Sequence, residues 1–147
     1  MAAKRRAEVT WRGDLMGGSG RIDRVGSGAF GSLDVTWASR SEEDSAGRTS
    51  PEELIAAAHA ACFSMALSHG LAEAGNPPEE LHTSAETTFV PGTGITEIAL
   101  SVEGRVNGLD EEGFRAAAEQ AKENCPVSGA LKGNVEITLD ARLASGA

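Results

Sequence analysis

The chain is expected to fold as one α+β domain with the element order βββ-α-ββ-α-β. Three observations predict it. Short β-prone runs separated by glycines open the chain, a long helix of small residues comes after a strong start signal, and two alternating segments precede a second helix and a closing alternating segment. At 147 residues the chain is near the common size for one domain, so a single domain over residues 1–147 suffices to bury a continuous core.

Residues 8–11, 21–25 and 33–37 are β-prone and separated by glycines that permit tight turns, which predicts three antiparallel strands. The segment SEEDSAG (41–47) is polar and acidic and reads as a loop. Ser50, Pro51, Glu52 and Glu53 then supply an N-cap, a first-turn proline and a capping-box glutamate, so a helix starts there. No breaker occurs until Gly75 and Pro77. A helix this long runs ~30 Å or more, about a domain's diameter, so it is expected to cross the centre of the assembly. Its middle, AAAHAAC, has little side-chain bulk. The alanines either meet a two-fold copy of the same helix, making a homodimer, or pack on the chain's own sheet, and composition leaves both open.

Segments 81–90 and 95–106 alternate and are joined by a turn at 91–94, a hairpin signature. Asp110 can cap a second helix in which Phe114, Ala118, Ala121 and Cys125 share one stripe, placing Cys125 on the core side. Residues 135–143 alternate again and read as a half-buried strand.

Charge and cysteine content exclude several function classes. The 22 acidic and 13 basic residues give a formal net charge of -9, which repels nucleic acid and anionic lipid surfaces. The start is basic, but the residues after it lack the apolar run of a secretory signal, and no later segment is expected to span a membrane. A cytoplasmic protein is the expectation. Two cysteines far apart in sequence do not make a secreted disulfide scaffold; thiols in a reducing compartment are either buried or chemically active. If the fold brings Cys62 and Cys125 together they form a redox couple, because a sulfenic acid formed on one can be trapped as a disulfide by the other before irreversible oxidation.

The run TSPEELIAAAHAACFSMAL (49–67), with CPVS (125–128) and VEITLD (135–140), closely resembles the OsmC/Ohr family of thiol peroxidases. His59 is similar to the osmotically inducible protein C branch, since the other branch usually carries tyrosine there; the branch names imply osmotic and oxidative stress as settings. The resemblance implies an intertwined homodimer with long central helices wrapped by antiparallel sheet. It also implies reduction of organic hydroperoxides without a bound cofactor. An external dithiol, in some members the lipoyl group of a dihydrolipoamide-bearing protein, is implied as reductant. Carried onto this chain, it makes Cys62 the peroxidatic thiol, Cys125 the resolving thiol, Glu52 the helix-start glutamate and Arg40 the strand arginine, with Arg48 a rival for the last position.

Each role has a physical reason. A cation beside Cys62 favours its thiolate and polarises the peroxide bond, and Glu52 would orient that guanidinium. Glu52 and Cys62 lie ten positions apart on one helix, ~15 Å of rise, so the Glu52 that serves Cys62 is expected from a partner chain. An apolar pocket would favour alkyl or lipid hydroperoxides, with Phe63, Met65, Phe114 and Leu131 as candidate walls.

Quieter readings accompany these. Free cysteines are often simply buried. His59 is either a core or interface histidine or the base of a cysteine hydrolase using Cys62, and a metal site from His59, Cys62 and Cys125 lacks any close ligand pair. Acids at a helix start are explained by the dipole, and Arg40 could be a solvated charge. A redox-inert ligand-binding or stress protein on the same fold is the rival function. GSGAFG (26–31) matches a nucleotide-loop glycine pattern, but β-prone residues come after it rather than a helix, so it is expected to be a turn.

Overall fold

A computed structural model describes residues 2–144, in two compact units that divide between Leu54 and Ile55. The first unit holds β1 (Ala7–Arg12), β2 (Ser19–Val25) and β3 (Gly31–Val35), antiparallel in that order. Thr10 donates to Asp23 across the first pair at 2.7 Å. The glycine-patterned segment is the β2–β3 turn, where Gly28 takes φ +75°, a conformation that glycine adopts without a Cβ clash. The sheet has little interior of its own. Ile22 is buried, while Val9 and Trp11 are exposed.

The expected third strand ends early. Thr36 leaves it and caps a short helix, α1 (Trp37–Ser41), through a reciprocal box in which Ser39 N–H donates to Thr36 Oγ1 and Thr36 N–H to Ser39 Oγ, both at 3.0 Å. The long helix α2 (Pro51–Glu73) begins as expected, with Glu53 N–H donating to Ser50 Oγ at 3.1 Å. The Glu53 carboxylate accepts from the Thr49 hydroxyl at 2.7 Å, so it braces the helix entry through the neighbouring side chain. By length and composition α2 is apolar enough to cross a membrane, contrary to expectation. Its apolarity has two sources: Phe63, Leu67 and Leu71 build a core, and small residues such as Ala57, Ala58 and Ala61 lie on the helix outside that core.

From Ile55 onwards the second unit adds β4 (Pro78–Val90), β5 (Gly94–Val106), α3 (Glu111–Asn124), α4 (Pro126–Leu131) and β6 (Glu136–Leu143). The β4–β5 hairpin and its turn match the alternating segments. Asp110 caps α3, accepting from Gly113 N–H at 2.8 Å, and Phe114, Ala118 and Ala121 are buried as their spacing predicts.

Two features depart from expectation. β6 pairs parallel to β5, with Ile98 opposite Ile137 and Leu100 opposite Leu139, so this sheet is mixed rather than antiparallel. The physical reason is the connection: a helix of fourteen residues returns the chain to the end where β5 began, which a tight turn cannot do. The other is α4, which forms because Pro126 cannot continue α3 but is preorganised to open a new helix at its first position.

The core joins Phe63, Leu67 and Leu71 of α2, Leu100, Val102 and Val106 of β5, Phe114, Ala118 and Ala121 of α3, Cys125 and Ala141. Its tightest point is Gly104, where a Cβ would lie 2.6 Å from Phe114 Cζ. Gly104→Ala is expected to force the ring off its rotamer and destabilise the protein by about 1–3 kcal/mol, read as a lower urea midpoint at unchanged slope. An unchanged midpoint would show that the ring has room to move.

Candidate active site

Arg40 and Glu52 meet within the first unit. The α1 capping box fixes the turn in which Arg40 sits, and Ser39 Oγ ties α1 to the chain before α2 by donating to the Thr49 carbonyl at 2.9 Å. Glu52 lies in the first turn of α2. Arg40 Nε donates to Glu52 Oε1 and Oε2 at 3.1 and 3.0 Å, and Nη2 to Oε2 at 2.9 Å. This forked geometry is the one only a guanidinium supplies. Glu52 is 5 % exposed, whereas the Arg40 side chain keeps about a third of its surface. The arginine expected on a strand therefore lies on a helix, because Thr36 caps the chain before it. Arg48 lines a polar cavity of about 300 Å³ with Arg12, Arg21, Asp23 and Asp34, and Arg40 is the one that grips Glu52.

The two cysteines come together in the second unit. Cys62 lies on α2, half-buried and packed against the core cluster, while Cys125 is 1 % exposed within it. Both are free thiols, close enough for each to act on the titration of the other. Cys125 ends α3, its N–H donating to the Ala121 carbonyl at 2.8 Å, and also caps α4. That double position sets its sulfur at the start of α4, beside Val127 and Ser128, although its side chain makes no capping hydrogen bond there.

The electrostatics of the pair are unequal. Burial, the hydrogen bond with Cys125 and the repulsion of its charge push the Cys62 thiol up, against a single lowering contact from Val127 N–H. Burial also acts to raise Cys125, but the Ser128 N–H, the Cys62 thiol, the Ser128 hydroxyl and the Val127 N–H together hold it below the ordinary thiol value. Within one chain the directions of the two shifts therefore favour ionisation of Cys125 over Cys62. The expected Cys62 thiolate depends on a cation beside it, which this chain's own Arg40, engaged with Glu52, does not supply.

His59 lies one helical turn before Cys62 and is fully buried. Its Nε2 is 2.8 Å from Ser128 Oγ, and burial lowers its pKa, so the ring is neutral. Its Nδ1 has no partner among the described residues. A hydrolase base would bond the thiol it activates, whereas His59 bonds a serine. No group of three or more His, Cys, Asp or Glu side chains among the described residues could hold a metal ion. Ser128 had drawn no role from sequence, although its place three residues past a helix-capping cysteine was a signal for one.

Of the four apolar side chains expected to wall a pocket, Phe63 and Phe114 are fully buried in the core. Met65 is 71 % exposed and Leu131 half-buried, so only these two keep surface for a ligand.

Comparison with known proteins identifies the family. The family model described as OsmC-like protein matches residues 42–140. The chain is 41% identical over 148 residues to the peroxiredoxin OsmC of Escherichia coli strain K12, covering 99% of this chain and 100% of that one. Among solved structures it is similar to the organic hydroperoxide resistance protein OhrB of Bacillus subtilis, with 28% identity, a TM-score of 0.66 and 93% and 98% of the two chains covered. It is likewise similar to an organic hydroperoxide resistance protein OsmC of Legionella pneumophila, with 26% identity, a TM-score of 0.65 and 93% and 96% covered. With a family model matched over most of its length and a near full-length relative this similar, the chain belongs to the OsmC family.

Proposed function

We propose that this protein is a thiol peroxidase that reduces organic hydroperoxides to alcohols through Cys62 and Cys125. The observation that carries the reading is the closeness of two free thiols, far apart in sequence, at the apolar core. The names of its relatives, peroxiredoxin and organic hydroperoxide resistance protein, point the same way.

In the cycle, the Cys62 thiolate attacks one peroxide oxygen and the O–O bond breaks. The alkoxide leaves and takes up a proton as the alcohol, while Cys62 becomes a sulfenic acid. The Cys125 thiolate then attacks the Cys62 sulfur, an S–S bond forms, and hydroxide departs to become water. An external dithiol, of which a dihydrolipoyl group is one form, reduces the disulfide by thiol exchange and leaves as its own disulfide.

The Arg40–Glu52 pair supplies the cation that turns Cys62 into the more acidic thiol when peroxide binds. Because Glu52 and Cys62 stand ~15 Å apart along one helix, the pair comes from a second copy of the chain and the active enzyme is a homodimer. Two surfaces support this: the small-residue face of α2 ending at the exposed Met65, and the Val9 and Trp11 side chains of a sheet that has almost no core of its own. The cytoplasm, where dithiol reductants are regenerated, is the compartment such a cycle needs.

The test is loss of cumene hydroperoxide with and without a dithiol, together with thiol counting by mass spectrometry. Wild type is expected to consume peroxide continuously with dithiol and one equivalent without it, losing both thiols. Cys125→Ser is expected to keep the first equivalent, to accumulate sulfenic acid on Cys62, and to over-oxidise with repeated peroxide. A Cys125→Ser variant that takes up no first equivalent would show that the two sulfurs have been given the wrong roles.

A further inference from the structure

Beyond the two sulfurs, the second unit holds a buried polar chain that the peroxidase cycle does not use. His59 and Ser128 are respectively 0 % and 4 % exposed, sit on different helices, and are joined at 2.8 Å inside a core that is otherwise apolar. Ser128 is the third residue of the helix that Cys125 opens, which places it beside Cys125. Buried polar groups are retained at a cost in free energy, and the orphaned His59 Nδ1 adds to it. Such a chain at a reacting atom therefore calls for a chemical reason.

From this geometry we infer that His59, acting through the Ser128 hydroxyl, is a positioning residue that holds Cys125 ready for disulfide formation. The inference rests on the peroxidase reading and deepens its second step. Direction is set by the acceptor at the end of the chain. A thiolate accepts, so the Ser128 hydroxyl donates to Cys125 Sγ and keeps its proton throughout, and His59 Nε2–H donates to Ser128 Oγ. This tautomer leaves Nδ1 as a bare lone pair, a smaller loss than a buried donor left unmet.

As Cys125 attacks the Cys62 sulfenic acid, its lone pair becomes the S–S bond, the S–O bond breaks, and hydroxide leaves to take a proton from solvent. The serine hydroxyl fixes the direction of the sulfur lone pair during that attack and the imidazole fixes the serine rotamer. The directions of the two thiol pKa shifts agree with this arrangement.

The surroundings leave few other groups to account for a titration of Cys125. From α2 it is faced by Cys62 and the neutral His59; α4 (PVSGAL) carries no charge; Lys122, one turn back on α3, is paired with Glu119 at 3.3 Å. The core residues contributed by β5 and β6 are apolar.

Ser128→Ala and His59→Leu test the inference in the full chain, with cumene hydroperoxide as oxidant and rapid acid quench separating sulfenic acid from disulfide by mass. Disulfide formation is expected to slow about tenfold in Ser128→Ala, while formation of the sulfenic acid is not slowed. In a Cys62→Ala background, the pH midpoint for iodoacetamide alkylation of Cys125 is expected to rise by about one unit, and Ser128→Thr, which restores the hydroxyl, to return it towards the parent value. His59→Leu should move both readouts in the same direction. A disulfide rate within twofold of wild type and an unmoved midpoint in Ser128→Ala overturn the inference. Equal slowing of both steps with no recovery in Ser128→Thr overturns it too, by reducing the pair to a packing role. Wild-type protein that leaves peroxide unconsumed would instead remove the peroxidase reading, and the alkylation profile would still decide whether His59 and Ser128 tune Cys125.

Discussion

Cys62→Ser is expected to lower dithiol-dependent consumption of cumene hydroperoxide by at least on the order of a thousandfold, because an alcohol near neutral pH provides almost no anion to attack the peroxide. Folding should change little. Cys62 is half-buried on a helix of 23 residues, and an oxygen in place of its sulfur leaves the Phe63, Leu67 and Leu71 contacts in place. Unfolding in urea measured beside the peroxide assay separates lost chemistry from lost structure. The experiment is a demanding one here, because within one chain the directions of the two shifts favour ionisation of Cys125 over Cys62. A Cys62→Ser protein that still consumed one equivalent of peroxide would move the nucleophile to Cys125 and make Cys62 the resolving thiol.

The second large effect is expected at Arg40. Arg40→Met keeps the length of the side chain but removes the fork that grips Glu52, leaving a carboxylate 7 % exposed to lose its cation. Breaking one side of a fully buried pair costs about 3–5 kcal/mol; with a third of the arginine surface in solvent, about 2 kcal/mol is expected, read as a lower urea midpoint. The peroxide rate should fall on the order of a hundredfold through loss of the cation that favours the Cys62 thiolate. Arg40→Lys, with a charge but no fork, should recover stability more than rate.

The same variant tests whether the site is shared between chains. Arg40→Met and Cys62→Ser are each expected to be nearly inactive, yet after joint unfolding and refolding, mixed dimers would carry one complete site each, restoring about a quarter of the sites at random assortment. No recovery on mixing, with dimers present by sedimentation, would place Arg40 and the Cys62 it serves in one chain.

The pattern of elements could be read along the chain because it depends on local rules. Ser50 and Pro51 announce the start of α2, Asp110 caps α3, and alternation marks β4, β5 and β6. Where expectation failed, a non-local or competing local term was stronger. Thr36 and Ser39 diverted the third strand into α1, and the crossover through α3 imposed parallel pairing on β6, a choice that side-chain alternation does not encode because both pairings share a period of two.

For the candidate site, residue types and their place on elements were inherent in the one-dimensional pattern: a cysteine on each of two helical runs, a glutamate at a helix start, an arginine upstream. Which groups touch was decided by packing alone. Tertiary structure chose Arg40 over Arg48 as the partner of Glu52, joined His59 to Ser128 across two helices, and set surroundings that raise the Cys62 thiol and lower the Cys125 thiol. The physical reason is range. Caps and periodicity act within a few residues and are written in neighbouring letters, whereas the charge state of a thiol is the sum of burial and donor contacts from segments that meet only after the chain has folded.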